Sequence, residues 1–564
     1  MPNTRYCEPC PKEFLKTRNP EPGTRNPIFF LLLAVVLLLS SETAFAQKKA
    51  AAGKACSLTY RVGFSDLEAH LFDISIEIGN IREPAIEVAM PAWSPGRYAI
   101  YDFAKNVQEF TAQTRSGEVL PCGKIDKQTW RIQTRGARDL KVSYRVFGND
   151  LSGTFSVVNR QHANYNGASV FAYVVNHKPD PVHLIIDPPA GWKVMNGAVD
   201  REGQHEFDFA NYDLLIDTPT EISSELVVRS FEVDGKTYRV VMNQPGGVTG
   251  DVDTFVKQIE QIVRAQTATM GTPDYKHYTF LINFDPTGRA SDGMEHLNST
   301  QVCVSSTLET PYGRAEALET ASHEFFHVWN VKRLRPVELG PWDYSREVHT
   351  RSLWIAEGLT SYYGDLFLGR SGVYSPEQMY QLFARQMSYF ESLPGRKLMS
   401  VEQSSWDTWF IVGAPTRQET SLGRTSVNYY NKGEIVGLLL DLEIRGRTNG
   451  TKSLDDVFRS MFKAFYEQPA TTYYLKGKGY RTEDFLTAVN KVTGTNFSDF
   501  FERYVSGVEP LDYNGVLKYV GLELITPVGS GGEWSFRDVD QPTPKQLWIR
   551  KGWLTGVVSQ AVGK

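Results

Sequence analysis

The chain has 564 residues, of which 41 % are apolar and 22 % are charged, and its net charge is −5. This length exceeds what one hydrophobic core usually holds, so we expect two or three domains. The composition excludes a disordered or membrane-embedded protein, and the small negative charge excludes a polycationic surface for nucleic acid.

Residues 1–46 have the pattern of a cleaved secretory signal. Twelve consecutive apolar residues, Ile28 to Leu39, follow several basic residues and precede Ala44-Phe-Ala46. This run is too short to span a bilayer comfortably. We therefore expect export to the periplasm or the extracellular space without stable membrane insertion after cleavage; an uncleaved membrane anchor is the alternative. Residues 47–55 are predicted to be a linker.

Removal of the signal discards Cys7 and Cys10 and leaves Cys56, Cys122 and Cys303. Three cysteines allow at most one disulfide, so the mature protein has to rest on a packed core. A bridge between Cys56 and Cys122 is the pairing available within the predicted first domain.

Residues 56–230 are predicted to form an N-terminal β-sandwich-like domain. Short alternating or β-branched segments occur at 57–62, 70–78, 141–146 and 182–186, and turn-rich links separate them. Several short strands at this spacing are typical of a sandwich. The aromatic and turn-rich segment from Met90 to Tyr98 has two interpretations: a rim that contacts substrate or the next domain, or a packed corner of the sheet.

The second domain is predicted to span residues 231–508. A hairpin signal at Val233-Asp-Gly-Lys236 precedes an amphipathic helix from Asp251 to Ala268 and a strand from Tyr278 to Phe284. The latter half of the segment 292–304 has the character of another strand. If that strand is exposed, it can pair with an extended peptide substrate.

A helical segment then contains His323-Glu-Phe-Phe-His327. Residues four apart lie on one face of a helix, so the two imidazoles can bind one metal ion. Glu324 points about 100° away and can reach a water molecule beside the metal rather than the metal. This H-E-x-x-H pattern is typical of zinc hydrolases; the alternative is a chance match in an amphipathic core helix.

A catalytic zinc usually takes three protein ligands, and Glu357 is the predicted third. It follows the apolar run Leu353-Trp-Ile-Ala356, and a carboxylate is costly to bury there unless it is paired or binds a metal. The alternative is a Glu at a solvated helix edge. A hydrolase also needs an oxyanion donor, and Tyr429 and Tyr430 precede an apolar helix, but the pattern alone does not choose between them.

Four ordered motifs together resemble the glycyl aminopeptidase family of gluzincin metallopeptidases, relatives of the aminopeptidase N-like group. They are G-M-E-H at 293–296, H-E-x-x-H-x-W at 323–329, W-x-x-E-G at 354–358 and Y-x-K-G at 430–433. The resemblance covers roughly residues 56–525, including the segment from Met90 to Gly96. It implies a thermolysin-like mixed α/β and helical catalytic domain in a multidomain α+β protein.

The resemblance also implies roles for individual residues. His323, His327 and Glu357 are expected to bind one Zn²⁺ ion, Glu324 to act as general base and Tyr430 to stabilise the oxyanion. The relatives carry G-x-M-E-N on a strand whose Glu binds the free α-amine of the substrate, which nominates Glu295, with Gly293 and Met294 as further substrate-binding residues. Asp292 and His296 depart from that pattern.

We therefore predict a zinc-dependent aminopeptidase that removes small N-terminal residues, Gly or Ala preferred, from peptides with a free N-terminus. A zinc endopeptidase on the same fold and a non-catalytic peptide-binding protein are the alternatives. Residues 509–564 are predicted to be a short C-terminal β appendage, interpreted as an incomplete PDZ domain whose first strands include Gly552 to Val558. The sequence does not predict an oligomeric state.

Overall fold

The computed structural model describes residues 55–288, 291–411, 420–527 and 533–556. The predicted signal sequence, with Cys7 and Cys10, lies outside them. None of the helices in these ranges is long and apolar enough to cross a membrane. The three other cysteines are free, with Cys56 buried and Cys122 exposed, so the Cys56–Cys122 bridge is a wrong prediction.

Three sheets form the first part of the chain. Their strands are β1 (Ser57–Asp66), β2 (Leu71–Gly79), β3 (Ala85–Ala89), β4 (Val107–Thr114), β5 (Cys122–Lys124), β6 (Thr129–Gln133), β7 (Leu140–Phe147), β8 (Ser156–Val158), β9 (His162–Tyr165), β10 (Tyr173–Val174), β11 (Val182–Ile186), β12 (Lys193–Asn196), β13 (Glu206–Phe209) and β14 (Thr220–Ser223). Two short helices, α1 (Gly167–Val170) and α2 (Tyr212–Ile216), connect some of them.

The largest of these sheets has six strands in the order β13-β11-β1-β2-β7-β4, and two four-stranded sheets, β10-β3-β6-β5 and β12-β14-β9-β8, pack against it. Phe110 of β4 stacks on Trp130 of β6 with ring centroids 4.5 Å apart. Phe72 of β2 meets the edge of Tyr165 of β9. The alternating burial along β2 and β7 places their apolar side chains in this interface, as the sequence pattern predicts.

A five-stranded sheet begins the second part of the chain. Its strands are β15 (Val227–Val233), β16 (Lys236–Asn243), β17 (His277–Phe284), β18 (Asp292–Glu295) and β19 (Ser299–Val304), in the order β15-β16-β17-β19-β18. The predicted boundary at residue 230 falls inside β15. The predicted strand in the latter half of 292–304 is confirmed as β19, but it is buried between β17 and β18 and is not free to pair with a peptide. The edge strand is β18.

The rest of the chain is mainly helical. Its helices are α3 (Val252–Met270), α4 (Pro311–Phe326), α5 (Leu359–Arg370), α6 (Pro376–Ser392), α7 (Val401–Trp406), α8 (Thr408–Ile411), α9 (Leu422–Thr425), α10 (Tyr429–Arg447), α11 (Leu454–Met461), α12 (Thr482–Thr493), α13 (Ser498–Phe500), α14 (Tyr513–Leu517) and α15 (Pro544–Thr555). Helix α3 matches the predicted amphipathic helix, and α4 packs on β18 and β19.

The C-terminal segment contains one two-stranded hairpin, β20 (Leu522–Ile525) with β21 (Ser535–Asp538), followed by α15. Gly552 to Thr555 therefore belong to a helix, not to the strands expected there. Thr543 forms a capping box with Gln546 and Gly556 ends the helix in the left-handed region, and these signals outweigh the β-branched residues nearby. Trp553 is fully buried and donates from Nε1 to Tyr362 Oη at 3.1 Å, which fixes α15 to α5.

Candidate active site

Helix α4 carries the H-E-x-x-H motif in its last turn. Thr310 caps its N-terminus and Pro311 occupies the first turn, where a missing N–H costs nothing. His323 and Glu324 are helical, and His327 is the C-terminal cap, still in the right-handed helical region. The predicted helix is thus confirmed, and both imidazoles lie on one of its faces.

Close backbone contacts bring the other motifs to this helix. Glu357 lies in a single π-helical turn, Trp354–Gly358, immediately before α5, and such turns are frequent at functional sites. A Cβ at Gly358 would overlap the backbone of Gly433 in α10. Gly364 of α5 likewise lies against the backbone of His323. The glycines of W-x-x-E-G and Y-x-K-G therefore let these helices approach within backbone contact.

The three predicted zinc ligands converge on one point. The Nε2 atoms of His323 and His327 are 3.1 Å apart, and Glu357 Oε2 lies 3.2 Å from His327 Nε2 and 3.8 Å from His323 Nε2. Tetrahedral zinc with bonds of about 2.0–2.1 Å places its ligand atoms about 3.3–3.4 Å apart. The donor set and its spacing therefore fit a zinc ion with little movement.

Neighbouring groups fix the orientation of each ligand. His327 Nδ1 donates to the carbonyl of Asn330 at 2.7 Å, and the Asn330 amide donates to the carbonyl of Ile355 before Glu357. Ser361 Oγ lies 3.4 Å from His323 Nδ1. In both imidazoles Nε2 is thus left to face the centre, as is usual where a second contact fixes the tautomer of a metal-binding histidine.

The electrostatics of the centre favour a positive charge. Burial opposes protonation of His327, but the charges of Glu357 and Glu295 outweigh it and raise the pKa of His327 to about 9. Burial likewise opposes ionisation of Glu357, yet the imidazole charge of His327 lowers its pKa to about 2. The same carboxylates, Glu357 and Glu295, would attract a bound cation.

Glu324 lies beside this centre and is suited to proton transfer. Its side chain is buried, and burial raises the pKa of its carboxyl well above the ordinary value. Its Oε2 atom has no hydrogen-bond partner among the described residues. A Cβ at Gly293 would overlap this carboxylate, so the glycine gives Glu324 its place next to β18.

The structure separates the two adjacent tyrosines. Tyr429 is fully buried, and its hydroxyl accepts a hydrogen bond from Thr408 Oγ1 at 3.2 Å. Tyr430 is partly exposed, and its ring lies 6.2 Å from that of His323. Tyr430 is therefore the tyrosine that faces the centre, while Tyr429 belongs to the packing beneath it.

Edge strand β18 forms the opposite wall. Glu295 is buried, and one of its carboxylate oxygens lies within 4.8 Å of ligand atoms of Glu324 and His327. The Met294 side chain is buried against Gly96 and Gly153, so it is not available to a substrate. Met294 and Gly293 can contact a peptide only through the backbone of this edge.

Residues of the first part of the chain complete the site, and the sequence did not single them out. Tyr98 donates its hydroxyl proton to Glu357 Oε1 at 3.3 Å, while Oε2 faces the imidazoles. Arg97 Nη2 pairs with Asp292 Oδ2 at 2.8 Å and donates to the carbonyl of Gly293 at 3.1 Å. The aromatic segment from Met90 to Tyr98 was the available signal, and of its two interpretations the contact with the next domain is confirmed.

The two departures from the G-x-M-E-N pattern also have partners. Asp292 accepts from Arg97 and from the backbone N–H of Gly153, so it connects β18 to the first part of the chain. His296 Nδ1 lies 3.0 Å from Asp217 Oδ1, which also pairs with Lys332 Nζ at 2.7 Å. Both side chains are therefore held by polar contacts that flank Glu295.

Two family profiles match the chain. The Peptidase M61 N-terminal domain matches residues 59–224, and the M61 glycyl aminopeptidase profile matches residues 316–436. The second match contains the two histidines, Glu324, Glu357 and Tyr430. No curated protein sequence matches the chain.

Solved structures provide a second comparison. The aminopeptidase N family protein from Idiomarina loihiensis is 28 % identical, with a TM-score of 0.76 over 84 % of this chain and 79 % of that one. An M1 zinc metallopeptidase from Deinococcus radiodurans is 13 % identical, with a TM-score of 0.47 over 81 % of this chain and 96 % of that one. A variant of the Deinococcus enzyme bound to a Tyr-Ser-Ala substrate gives a TM-score of 0.46 at 14 % identity over 81 % and 95 %.

Proposed function

This chain belongs to the M61 glycyl aminopeptidase family, so it is a peptidase, and we propose that it is a zinc-dependent aminopeptidase. In this proposal it removes small N-terminal residues from peptides, with Gly or Ala preferred. One observation carries the aminopeptidase assignment: the carboxylate of Glu295 lies within 4.8 Å of His327 and Glu324. Consecutive Cα atoms are about 3.8 Å apart, which is close to this distance. A substrate whose α-ammonium group is bound by Glu295 therefore has its first residue between Glu295 and the predicted zinc ligands. The first peptide bond of the substrate is the one that reaches Glu324.

The packing around Glu295 supports the proposed preference for a small first residue. Gly96 lies against it so closely that a Cβ there would come within 2.6 Å of Glu295 Oε2. Tyr98 is buried, and its hydroxyl is already engaged with Glu357. A glycine or alanine side chain needs the least room between these groups and β18.

The residues of the chain have separate tasks in peptide hydrolysis. His323, His327 and Glu357 would hold a zinc ion, which supplies Lewis acidity when bound. Glu324 takes the proton of the attacking water and delivers it to the leaving amine. Tyr430 donates a hydrogen bond to the oxyanion that develops on the former carbonyl oxygen. Glu295 binds the α-ammonium group, and the β18 backbone aligns the peptide.

The test uses Gly- and Ala-arylamides together with their N-acetylated counterparts. We expect the native protein to cleave the free-amine substrates and to leave the N-acetylated ones. Glu295→Ala should lower kcat/KM on free-amine substrates roughly 10- to 100-fold, as for a lost charge-assisted hydrogen bond. Glu309→Ala, at an exposed position near α4, is the control and should change little. Equal cleavage of both substrate classes would identify an endopeptidase, and absence of cleavage with zinc bound would identify a binding protein.

We also propose that the protein acts outside the cytoplasm. The support is the apolar run from Ile28 to Leu39 with Ala44-Phe-Ala46 after it. Cell fractionation with N-terminal sequencing of the recovered protein tests this. We expect a mature chain that begins near Gln47; an intact Met1 in the cytoplasmic fraction would contradict export.

A further inference from the structure

A thiol, an imidazole and a carboxylate meet in the first part of the chain, outside the candidate active site. Cys56 immediately precedes β1, while His177 and Asp180 belong to the turn after β10. The Asp180 N–H donates to the His177 carbonyl at 3.1 Å, which closes this turn. The Cys56 N–H donates to Asp180 Oδ2 at 2.8 Å and holds the cysteine against it.

The hydrogen bonds determine which imidazole nitrogen is available. His177 Nδ1 lies 2.8 Å from Asp180 Oδ2, and because a carboxylate only accepts, Nδ1 carries the proton. Nε2 then presents its lone pair toward Cys56 Sγ, 3.8 Å away. A carboxylate that fixes Nδ1–H so that Nε2 is free is the usual arrangement behind a metal-binding histidine.

The separation of the two donor atoms fits a metal ion between them. With bonds of about 2.3 Å to sulfur and about 2.0–2.1 Å to nitrogen, a gap of 3.8 Å corresponds to an angle of about 120° at the metal. That angle is close to tetrahedral. The Asp180 carboxylate stays behind the imidazole, where its negative charge also attracts the ion.

Burial and charge at this cluster also suit a cation. Cys56 is buried, whereas the side chains of His177 and Asp180 are 21 % and 18 % exposed, so solvent and ions reach the cluster from one side. The negative charges of Asp180 and Glu83 act on the Cys56 thiol, and a divalent ion would compensate for them.

We propose that Cys56 and His177, with Asp180 orienting the imidazole, form a second metal site for a divalent ion that accepts sulfur and nitrogen ligands, with Zn²⁺ as the best match. Water completes the coordination on the exposed side. The Cys56 thiol loses its proton to solvent as the metal–sulfur bond forms. The bound ion joins the start of β1 to the turn after β10, and it has no part in peptide hydrolysis.

Cobalt substitution tests this site separately from the candidate active site. Co²⁺ bound to a thiolate gives a near-ultraviolet charge-transfer absorption, and the predicted ligands of the candidate active site, His323, His327 and Glu357, contain no sulfur. We expect the absorption in the full-length native chain and in Cys122→Ser, which removes an exposed cysteine. It should be absent in Cys56→Ser and at least tenfold weaker at subsaturating cobalt in His177→Ala. No absorption in the native chain, or its persistence in Cys56→Ser, would overturn the proposal.

Zinc content gives an independent measurement. After saturation with Zn²⁺ and removal of loosely bound ions, elemental analysis should find one zinc per chain fewer in Cys56→Ser than in Cys122→Ser. Cys56→Ser should keep its peptidase activity, and Glu357→Gln should keep the Cys56-dependent zinc. Equal zinc content in both cysteine variants would contradict a second site, whether or not the chain proves to be an aminopeptidase.

Discussion

At the scale of single residues, the candidate active site depends on which atom of each side chain is already engaged. Glu357 has one oxygen bound by Tyr98 and the other turned toward the imidazoles. Glu324 has an oxygen with no partner among the described residues, and it is the carboxylate that faces the incoming water in our proposal. Two buried glutamates beside the same histidine therefore have different tasks in our proposal, because their hydrogen-bond partners differ.

We expect Glu324→Gln to retain its metal and fold but to lose peptidase activity. The amide cannot accept the proton of the water, and general-base catalysis typically contributes about 10²- to 10⁴-fold to the rate. Metal content, circular dichroism and kcat on Gly-arylamide check this together. Activity within tenfold of the native value would remove Glu324 from the reaction.

We expect Tyr98→Phe to weaken metal binding about 10- to 100-fold, because loss of a contact behind a ligand typically has this effect. Competition with a chromophoric chelator measures the affinity without a substrate. Tyr60→Phe is the matched control, since it removes a buried hydroxyl that donates to the carbonyl of Ala172, away from the site. Equal affinities in the two variants would show that Tyr98 does not act on Glu357.

At the scale of elements, the helices around the candidate active site share a further contact between two carboxyl groups. Asp365 of α5 and Glu434 of α10 hydrogen-bond to each other through their carboxyl groups. Two charged residues act on the pair, Glu319 of α4 and Arg385 of α6. Glu319 also accepts a hydrogen bond from the Tyr374 hydroxyl. Burial and the charge of Glu319 raise the pKa of Asp365 to about 7. The pair therefore shares a proton at neutral pH and holds α5 against α10.

This pair predicts a pH dependence of stability. The folded pKa of Asp365 is above the unfolded value, so its contribution is present below about pH 4 and is lost as the pH rises through about 7. Asp365→Asn should then raise the free energy of unfolding at pH 8 by about 2 kcal/mol. This is less than the full pKa shift corresponds to, because Asp365 is partly exposed and solvent screens it. At pH 4 the substitution should change the free energy of unfolding little. Denaturant unfolding at both pH values measures this, with Asp540→Asn at an exposed position as the control. A gain of equal size at both pH values would contradict the shared proton.

At the scale of the molecule, the site is assembled from two distant parts of the sequence. Residues 96–98 come from the sheet-rich first part, and β18, α4, α5 and α10 come from the second. Trp93 strengthens the same contact, since its ring packs on Trp342 and Trp409 and its Nε1 donates to the carbonyl of Asp343. The position of edge strand β18, along which we expect the substrate to bind, thus depends on the contact between the two parts of the chain.

We expect Arg97→Met to raise KM for Gly-arylamide roughly tenfold with a smaller effect on kcat. The substitution leaves the Asp292 carboxylate without its cation and frees the Gly293 carbonyl, so β18 loses its alignment. Arg131→Met, which breaks an exposed pair with Glu87 inside the first part, is the control. Steady-state kinetics and thermal unfolding are measured for both variants. A raised KM with an unchanged unfolding temperature indicates misalignment of β18 rather than general destabilisation of the fold. An unchanged KM would contradict this role.

The sequence predicted the parts of this site that follow local rules. Helical spacing placed His323 and His327 on one face, and an apolar run identified Glu357 as a buried carboxylate. Tyr98 and Arg97 were out of reach, because their contacts with Glu357 and Asp292 join residues about 200 or more apart. The pattern of residues alone left Tyr429 and Tyr430 open; the family resemblance nominated Tyr430, and the orientation of α10 brings its ring beside His323. The helix at 544–555 differs from the predicted strands because its capping residues stabilise a helix in spite of β-branched neighbours.

The contact between Tyr98 and Glu357 also bears on when the protein can become a protease. Tyr98 and Glu357 are far apart in the sequence, so this contact forms only when the two parts of the chain dock. In our proposal, a chain whose two parts are not docked would hold metal weakly and align peptides poorly. Docking of the two parts would therefore be the step at which the folded chain gains activity.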